Sequence, residues 1–251
     1  MARITYDERT ARAFKAVREI PRDGLSEWRE AVRRHLRPPP GMTLVDIGAG
    51  TGQFSAAFSD WFNVTVLAVE PSAAMRAQVP RTPAIQPLEG DASALPLPNA
   101  SADAAWLSLV IHHIPDLGAA AREIRRVLRP GAPVLIRQGF TVDDGIEIVR
   151  WFPETARIIA TFPTLHETCD AFAAAGFHLE AHERVREPFT AGLAEFLDQV
   201  ETFRTADTTM RHLTDEEFHR GKERLCRAVR RAEHRASPEP RTNRLDLVVL
   251  R

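Results

Sequence analysis

The stretch Val45-Asp46-Ile47-Gly48-Ala49-Gly50-Thr51-Gly52 decides the fold. An apolar run ends around an acid, and three glycines then alternate with small residues. Such a loop lets backbone press against a ligand that side chains would exclude. Gln53-Phe54-Ser55-Ala56-Ala57-Phe58 follows and reads as a helix, so its first free amides point into the same space. The alternative is an ordinary tight strand-to-helix turn, which does not call for three alternating glycines after an acid.

The spacing separates two kinds of nucleotide site. A dinucleotide fingerprint needs G-x-G-x-x-G, with the third glycine allowing close helix packing and the helix start meeting a pyrophosphate. Here the third glycine comes one position early, and Gln53 stands where Gly or Ala belongs. The preceding carboxylate, Asp46, repels a pyrophosphate and suits a ligand that carries an ammonium group. Further on, Val64-Thr65-Val66-Leu67-Ala68-Val69 is a β-branched run that ends in Glu70. Glu70 lies roughly 20 residues beyond Gly48, where an acid at the end of the second strand accepts hydrogen bonds from ribose hydroxyls. Ser72 is placed to cap the helix after it.

Three more segments follow in order: Glu89-Gly90-Asp91-Ala92-Ser93-Ala94-Leu95-Pro96, then Trp106-Leu107-Ser108-Leu109-Val110-Ile111-His112-His113-Ile114, then Ile124 to Ile136 with Leu128-Arg129-Pro130-Gly131 at its turn. With the acid and G-x-G-x-G loop, these resemble the class I S-adenosylmethionine-dependent methyltransferases over about residues 43–138. The Leu-Ser-Leu-Val-Ile-His-His segment is most similar to the small-molecule, ubiquinone/menaquinone-biosynthesis type. The resemblance implies an α/β, Rossmann-like, seven-stranded and mostly parallel sheet with helices on both faces. It implies S-adenosylmethionine over Asp46, Gly48, Ala49, Gly50 and Gly52, with Glu70 on the ribose. It also brings Pro71, Met75 and Ser108 to the cofactor, and Asp91 with Ala92 to the adenine amino group. Tyr6 or Phe14 then covers the cofactor as a lid from the N-terminal segment, or packs against the domain.

Composition narrows the class. The chain has 251 residues, 44% of them hydrophobic, a net charge of −1 and two cysteines, Cys169 and Cys226. One α/β domain is the simplest reading of that length, and the apolar content suffices for a substantial core. Near-neutral charge demands neither nucleic acid nor an anionic membrane. The cysteines lack metal-ligand spacing, no metal site is expected, and free thiols point to a reducing cytoplasm. The N-terminus shows no apolar signal core, and no run approaches the length of a membrane span. Nothing in the chain speaks to its oligomeric state.

The rest of the chain is read as embellishment of that domain. Residues 1–42 form an N-terminal helical lid: Asp7 caps one helix and Ser26 caps a second. Residues 140–163 and 189–236 are two helical cap insertions, the second holding a capping box at Thr214-Asp215-Glu216-Glu217. A helix over 164–176 ends at Gly176, a strand follows over 177–186, and Ser237-Pro238-Glu239-Pro240 is a linker. Residues 243–251 close the chain as a strand, which the resemblance makes the antiparallel one of the sheet.

Methyl transfer from a sulfonium is an in-line displacement, so positioning dominates and a base is needed only when the acceptor must lose a proton. A strong cofactor site and a weakly marked acceptor site are therefore expected. His112 and His113, at the exit of the fourth strand, are the candidates for acid–base work, because imidazole titrates near working pH. Either ring alternatively packs or caps the next helix. The Asn/Asp-Pro-Pro-aromatic segment that grips a flipped base in nucleic-acid amine methyltransferases is replaced by Leu107-Ser108-Leu109-Val110, so no nucleic acid is expected as a partner. The arginines of 220–235 spread around a helix among glutamates, which reads as a solvated face rather than an RNA patch. The acceptor is then a small, largely apolar metabolite methylated at O, N or C. Two alternatives stay open: an RNA-directed enzyme, and a family member that binds the cofactor without methyl transfer, retired or recruited to another reaction such as cyclisation.

Overall fold

Seven strands form one sheet in the order β3-β2-β1-β4-β5-β7-β6. They are β1 (Thr43–Ile47), β2 (Thr65–Val69), β3 (Ile85–Leu88), β4 (Ala104–Ser108), β5 (Val134–Gln138), β6 (Leu179–Thr190) and β7 (Arg241–Leu250). The computed structural model describes residues 6–140, 146–232 and 240–251. Strands β1 to β5 pair in parallel, and β7 runs antiparallel between β5 and β6. The chain leaves β1 towards β2 and β3, then returns to the other side of β1 for β4 and β5. That reversal opens a crevice at the carboxyl ends of β1 and β4, where ligands bind in doubly wound sheets.

Alternation along each strand splits the core between two faces. Val45, Ile47, Leu107 and Ile136 pack with Ala120, Ile124 and Val127 of α5 (Leu117–Val127) and Phe172 of α8 (Leu165–Ala173). Leu44, Val66, Trp106 and Leu135 pack with Trp28 of α2 (Ser26–Leu36) and with Phe54 and Phe58 of α3 (Gln53–Phe62). The α/β, seven-stranded, mostly parallel Rossmann-like fold expected from the sequence is the fold observed.

Local signals act as their chemistry dictates. Asp7 Oδ1 accepts from the Thr10 amide at 2.7 Å and caps α1 (Glu8–Arg18). Ser72 Oγ accepts from the Met75 amide and caps the short α4 (Ala73–Arg76). Thr164 and Glu167 form a capping box on α8, and Gly176 follows that helix at φ +87°. Thr214 and Glu217 exchange the same pair of bonds at the start of α10 (Asp215–Ala232). Ser26 is a correction: it is the first residue of α2 and caps nothing. A 3₁₀ turn, Arg22–Leu25, runs directly into the helix, so no extended residue stands at the cap position.

Strand β6 is a second correction, because it continues to Thr190. Its last residues pair with the start of β7, from Pro188 opposite Thr242 to Thr190 opposite Arg241. Phe189 thus belongs to a strand that rises beyond the sheet edge. Above it sits a separate apolar cluster. Ile148 and Phe152 from the segment of α6 (Glu147–Trp151) meet Phe196, Val200 and Phe203 of α9 (Leu193–Ala206) and Phe218 and Leu225 of α10. A Cβ at Gly221 of α10 would lie 2.1 Å from Phe152 Cδ1, so only glycine lets that helix meet the ring. A further short helix, α7 (Ala156–Ile159), completes this cap. The start of the N-terminal segment (residues 1–5) and most of the expected linker (237–239) lie outside the described residues, as do residues 141–145 of the first insertion and 233–236 of the second.

Candidate active site

The crevice opens into a cavity of about 1090 Å³ that reaches from the glycine loop to the cap. Ligand pockets usually span about 300–1,000 Å³, so this cavity stands at the large end of that range and has room for a cofactor beside a small second molecule.

At one end lies the loop after β1. Gly48, Gly50 and Gly52 hold φ of +69°, +59° and +80°, the left-handed region that costs other residues strain. Their roles differ. A Cβ on Gly48 would lie 2.4 Å from Val110 Cγ2, and one on Gly52 would lie 2.9 Å from Val79 Cγ1. Close packing by the protein itself therefore demands those two glycines. Gly50 would meet only the Met75 methyl at an ordinary 3.5 Å, so its backbone angle is the constraint. The Gly50 amide donates to Glu70 Oε2 and the Ser72 amide to Glu70 Oε1, each at 2.9 Å. An ionised carboxylate has about four lone-pair sites, so Glu70 keeps acceptor capacity for ligand hydroxyls. Burial raises the Glu70 carboxyl above the usual range, against the lowering effect of those two amides.

Asp46 is 2% exposed and accepts from Ser55 Oγ at 2.6 Å. No cation pairs with it among the described residues. Burial pushes its carboxyl up to about 7, the Ser55 bond opposes this, and the charge of Glu70 adds to it. A buried carboxylate without a counter-ion is a site for a cationic ligand.

At the other end, His112 and His113 follow β4 on a short 3₁₀ turn, with ring centroids 4.2 Å apart. Phe162 stacks on His112 at 4.3 Å and 17°. Gln138 Nε2 lies 3.2 Å from His112 Nδ1, so the amide and the imidazole tautomer fix one another. Thr208 Oγ lies 3.5 Å from His113 Nε2, and Tyr6 meets the His113 ring edge-on at 6.5 Å. Tyr6 also faces Phe14, and its carbonyl accepts from Ser72 Oγ, so α1 is strapped across the cleft. Burial first, and then the charge of Asp207, push the Tyr6 hydroxyl up to about 12.

The cavity brings together Tyr6, Asp46, Gly48, Ala49, Gly50, Glu70, Pro71, Met75, Ser108, His112 and His113. Gly52, Asp91 and Ala92 stand outside its lining. Gly52 starts α3 with its back to Val79, Ala92 is buried in the core, and Asp91 is exposed with Oδ1 taken by the Ser93 amide. The sequence reading missed Arg137, Gln138, Glu187, Asp207, Thr208 and Asn243, which also line the cavity. Two of them carried a signal: Arg137 and Gln138 end the otherwise apolar run Val134-Leu135-Ile136 with two polar residues. No group of three or more His, Cys, Asp or Glu able to hold a metal occurs among the described residues, and no helix there is long and apolar enough to cross a membrane.

Sheet order, loop and crevice define the class, a Rossmann-like class I methyltransferase fold. Residues 45–136 match the family model of the methyltransferase domain. It is 34% identical over 142 residues to the ubiquinone/menaquinone biosynthesis C-methyltransferase UbiE of Caulobacter vibrioides, covering 51% of this chain and 56% of that protein. It is 34% identical over 121 residues to an O-methyltransferase of Pyrenophora dematioidea, covering 45% of each. The chain thus spans about half the length of these curated relatives. Among solved structures, a putative methyltransferase from an antibiotic biosynthesis pathway of Anabaena variabilis superposes with a TM-score of 0.68 at 22% identity, covering 88% of this chain and 95% of that one.

The family implies S-adenosylmethionine as the cofactor. The residues present fit it: a buried, cation-free carboxylate at Asp46 for positive charge, a carboxylate with spare acceptor sites at Glu70, and exposed backbone at Gly48–Gly50 between them.

Proposed function

We propose that the protein transfers a methyl group from S-adenosylmethionine to a small, largely apolar metabolite, at an O, N or C atom. The observation that carries this reading is a single cavity that joins the glycine loop and Glu70 to an apolar compartment through His112 and His113. Bound there, the cofactor supplies a methyl group on a sulfonium, which departs as a neutral thioether.

The chain's own residues hold and exclude. Gly48, Ala49 and Gly50 offer backbone to the methionine portion, Asp46 faces its ammonium, and Glu70 accepts from the ribose hydroxyls. Asp91, with Ala92 beside it, receives the adenine amino group at the β3 edge. Pro71, Met75 and Ser108 pack along the cofactor, Gly52 keeps the loop closed from behind, and Tyr6 roofs it. His112 or His113 takes the proton when the acceptor must lose one, with Gln138 setting the ring tautomer of His112. The cap, α1 and the 146–163 segment keep water from the reacting atoms. We assign the reaction to the cytoplasm, where Cys169 and Cys226, both free, stay reduced.

An RNA target draws no support from α10. Arg220, Lys222, Arg224 and Arg227 each pair with a glutamate: Glu216 and Glu154, Glu201, Glu154, and Glu223 in turn. The test is incubation with methyl-labelled S-adenosylmethionine and a panel of small apolar alcohols, phenols and amines. Label in the organic extract, with one thioether formed per methyl, is the expected result. Failure to bind the cofactor in calorimetry overturns the reading. Tight binding without label transfer to any acceptor favours a family member recruited away from methyl transfer.

A further inference from the structure

The charges along the cavity are one-sided. Six carboxylates and three arginines line it. Each arginine is already paired. Arg137 is held bidentately by Glu187, with Nε to Oε2 at 3.0 Å and Nη2 to Oε1 at 2.6 Å; the two side chains are 6% and 4% exposed. Its Nη1 donates to Ser108 Oγ at 3.0 Å, while Trp28 Nε1 donates to Glu187 Oε2 at 2.8 Å. The guanidinium also stands 5.3 Å from the Trp28 ring centroid and 5.2 Å from that of Phe54. Arg18 lies 3.7 Å from Asp207 Oδ2, and Asp207 is fixed by the Thr209 amide and hydroxyl and the Met210 amide. Arg12 pairs with Glu8 at the exposed rim. Asp46 and Glu70 have no ion-pair partner among the described residues.

We propose that this cavity admits uncharged apolar acceptors and rejects anionic ones, and that Glu187 and Asp207 set this selectivity by neutralising two arginines that line it, the buried Arg137 and the partly exposed Arg18. The inference rests on reading the cavity as a cofactor-plus-acceptor site and adds which acceptors enter.

The physical reason is desolvation. A phosphate or carboxylate brought into a water-poor cavity loses its hydration and must find a counter-charge. Here the cations are spent on protein carboxylates, and the remaining acids repel a second anion. An uncharged molecule meets the apolar side chains Ile146, Ile148, Val149, Ile159, Phe162 and Leu245 at no such cost. The same field suits a cofactor that carries an ammonium and a sulfonium against one carboxylate. Discrimination thus comes from a repulsive element as much as from attraction.

The test uses the full chain and a matched pair of probes, 1-naphthol and 1-naphthyl phosphate, which differ in charge near neutral pH. Calorimetry is run first with S-adenosylmethionine, then with each probe, with and without the cofactor. Wild-type protein should bind 1-naphthol at least about tenfold more tightly than the phosphate, a difference worth about 1.4 kcal/mol. E187Q, which uncovers Arg137, and D207N, which uncovers Arg18, should each strengthen phosphate binding while leaving 1-naphthol nearly unchanged. Should E187Q fail to fold, D207N and the wild-type ratio still decide. Equal binding of the two probes by wild-type protein overturns the proposal, as does failure of both to bind, or no gain for the phosphate in any folded variant. Loss of cofactor binding with the probe ratio intact would instead sink the methyl-transfer reading and leave the anion exclusion standing.

Discussion

The glycine loop and the cap face one another across one cavity, and they solve opposite problems. The loop end is built from backbone: amides of Gly50 and Ser72 hold Glu70, and Ser55, nine residues on, holds Asp46. It leaves two buried acids without an ion-pair partner among the described residues, and burial raises both carboxyls, so a cationic ligand bound there would favour their ionised forms. The cap end is built from side chains that lie far apart in the chain. Phe152, Phe196 and Phe218 pack together, and Glu147 of α6 is closed in an ion pair with Arg241. One end is poised for a charged molecule; the other has removed its charge. Substitutions at the loop end should therefore change ligand affinity more than stability, and those in the cap should do the reverse.

The hinge between the two ends gives the largest expected effect. If His112 or His113 is the base, its replacement by Ala should lower turnover by roughly 10²–10⁴ and remove an ionisation from the pH–rate profile. A smaller loss, flat with pH, would assign both rings to shaping the pocket. In the cap, Phe152→Ala should cost about 3–5 kcal/mol of stability, since a fully buried ring leaves a cavity. Denaturant melts read this, and cofactor affinity should stay unchanged. Weakened cofactor binding in that variant would break the division between the ends.

At the loop end, Glu70→Ala should weaken S-adenosylmethionine binding by about 1.5–3 kcal/mol, the range for hydrogen bonds to a charged group. Calorimetry that finds unchanged affinity removes Glu70 from the site. Asp46 gives the pH test. Its carboxyl is raised from 3.8 to about 7 in the folded protein, so its protonated form is favoured there. Folding stability from this group is full below the unfolded value and declines as pH rises towards 7. A cationic cofactor favours the ionised form, so binding should release protons near pH 6 and tighten by up to about tenfold per pH unit until pH passes 7. Asp46→Asn should flatten that dependence; an unchanged slope would place the titration elsewhere. The smallest effect is expected at the strap. Asp7→Ala removes the cap of α1 and should cost about 1 kcal/mol in helix stability. Turnover should fall more than the melting temperature if α1 closes the site.

The reading of the loop illustrates how far sequence reaches. Three glycines at alternate positions announce a ligand loop, and left-handed backbone at all three explains why. Their division of labour was not legible. Gly48 and Gly52 answer to Val110 and Val79, and those contacts exist only after β4 and the turn beyond α4 come to lie against β1. Ser26 looked like a helix cap for a similar reason: the residue type suits a cap, and only the preceding 3₁₀ turn denies it the position.

By itself, the sequence determined the sheet, the helix caps at Asp7, Ser72 and Thr214, and the acids at the loop. These features depend on residues a few positions apart, where covalent geometry limits what the backbone can do. The anion-excluding wall was decided by the tertiary structure alone. Trp28 is 159 residues from Glu187, Arg137 is 50 from it, and Thr208 is 95 from His113. No local pattern encodes which buried charge meets which. That choice was made when β6 ran on past the sheet edge and packing left each arginine one carboxylate within reach, because a buried charge must be paired where it lies.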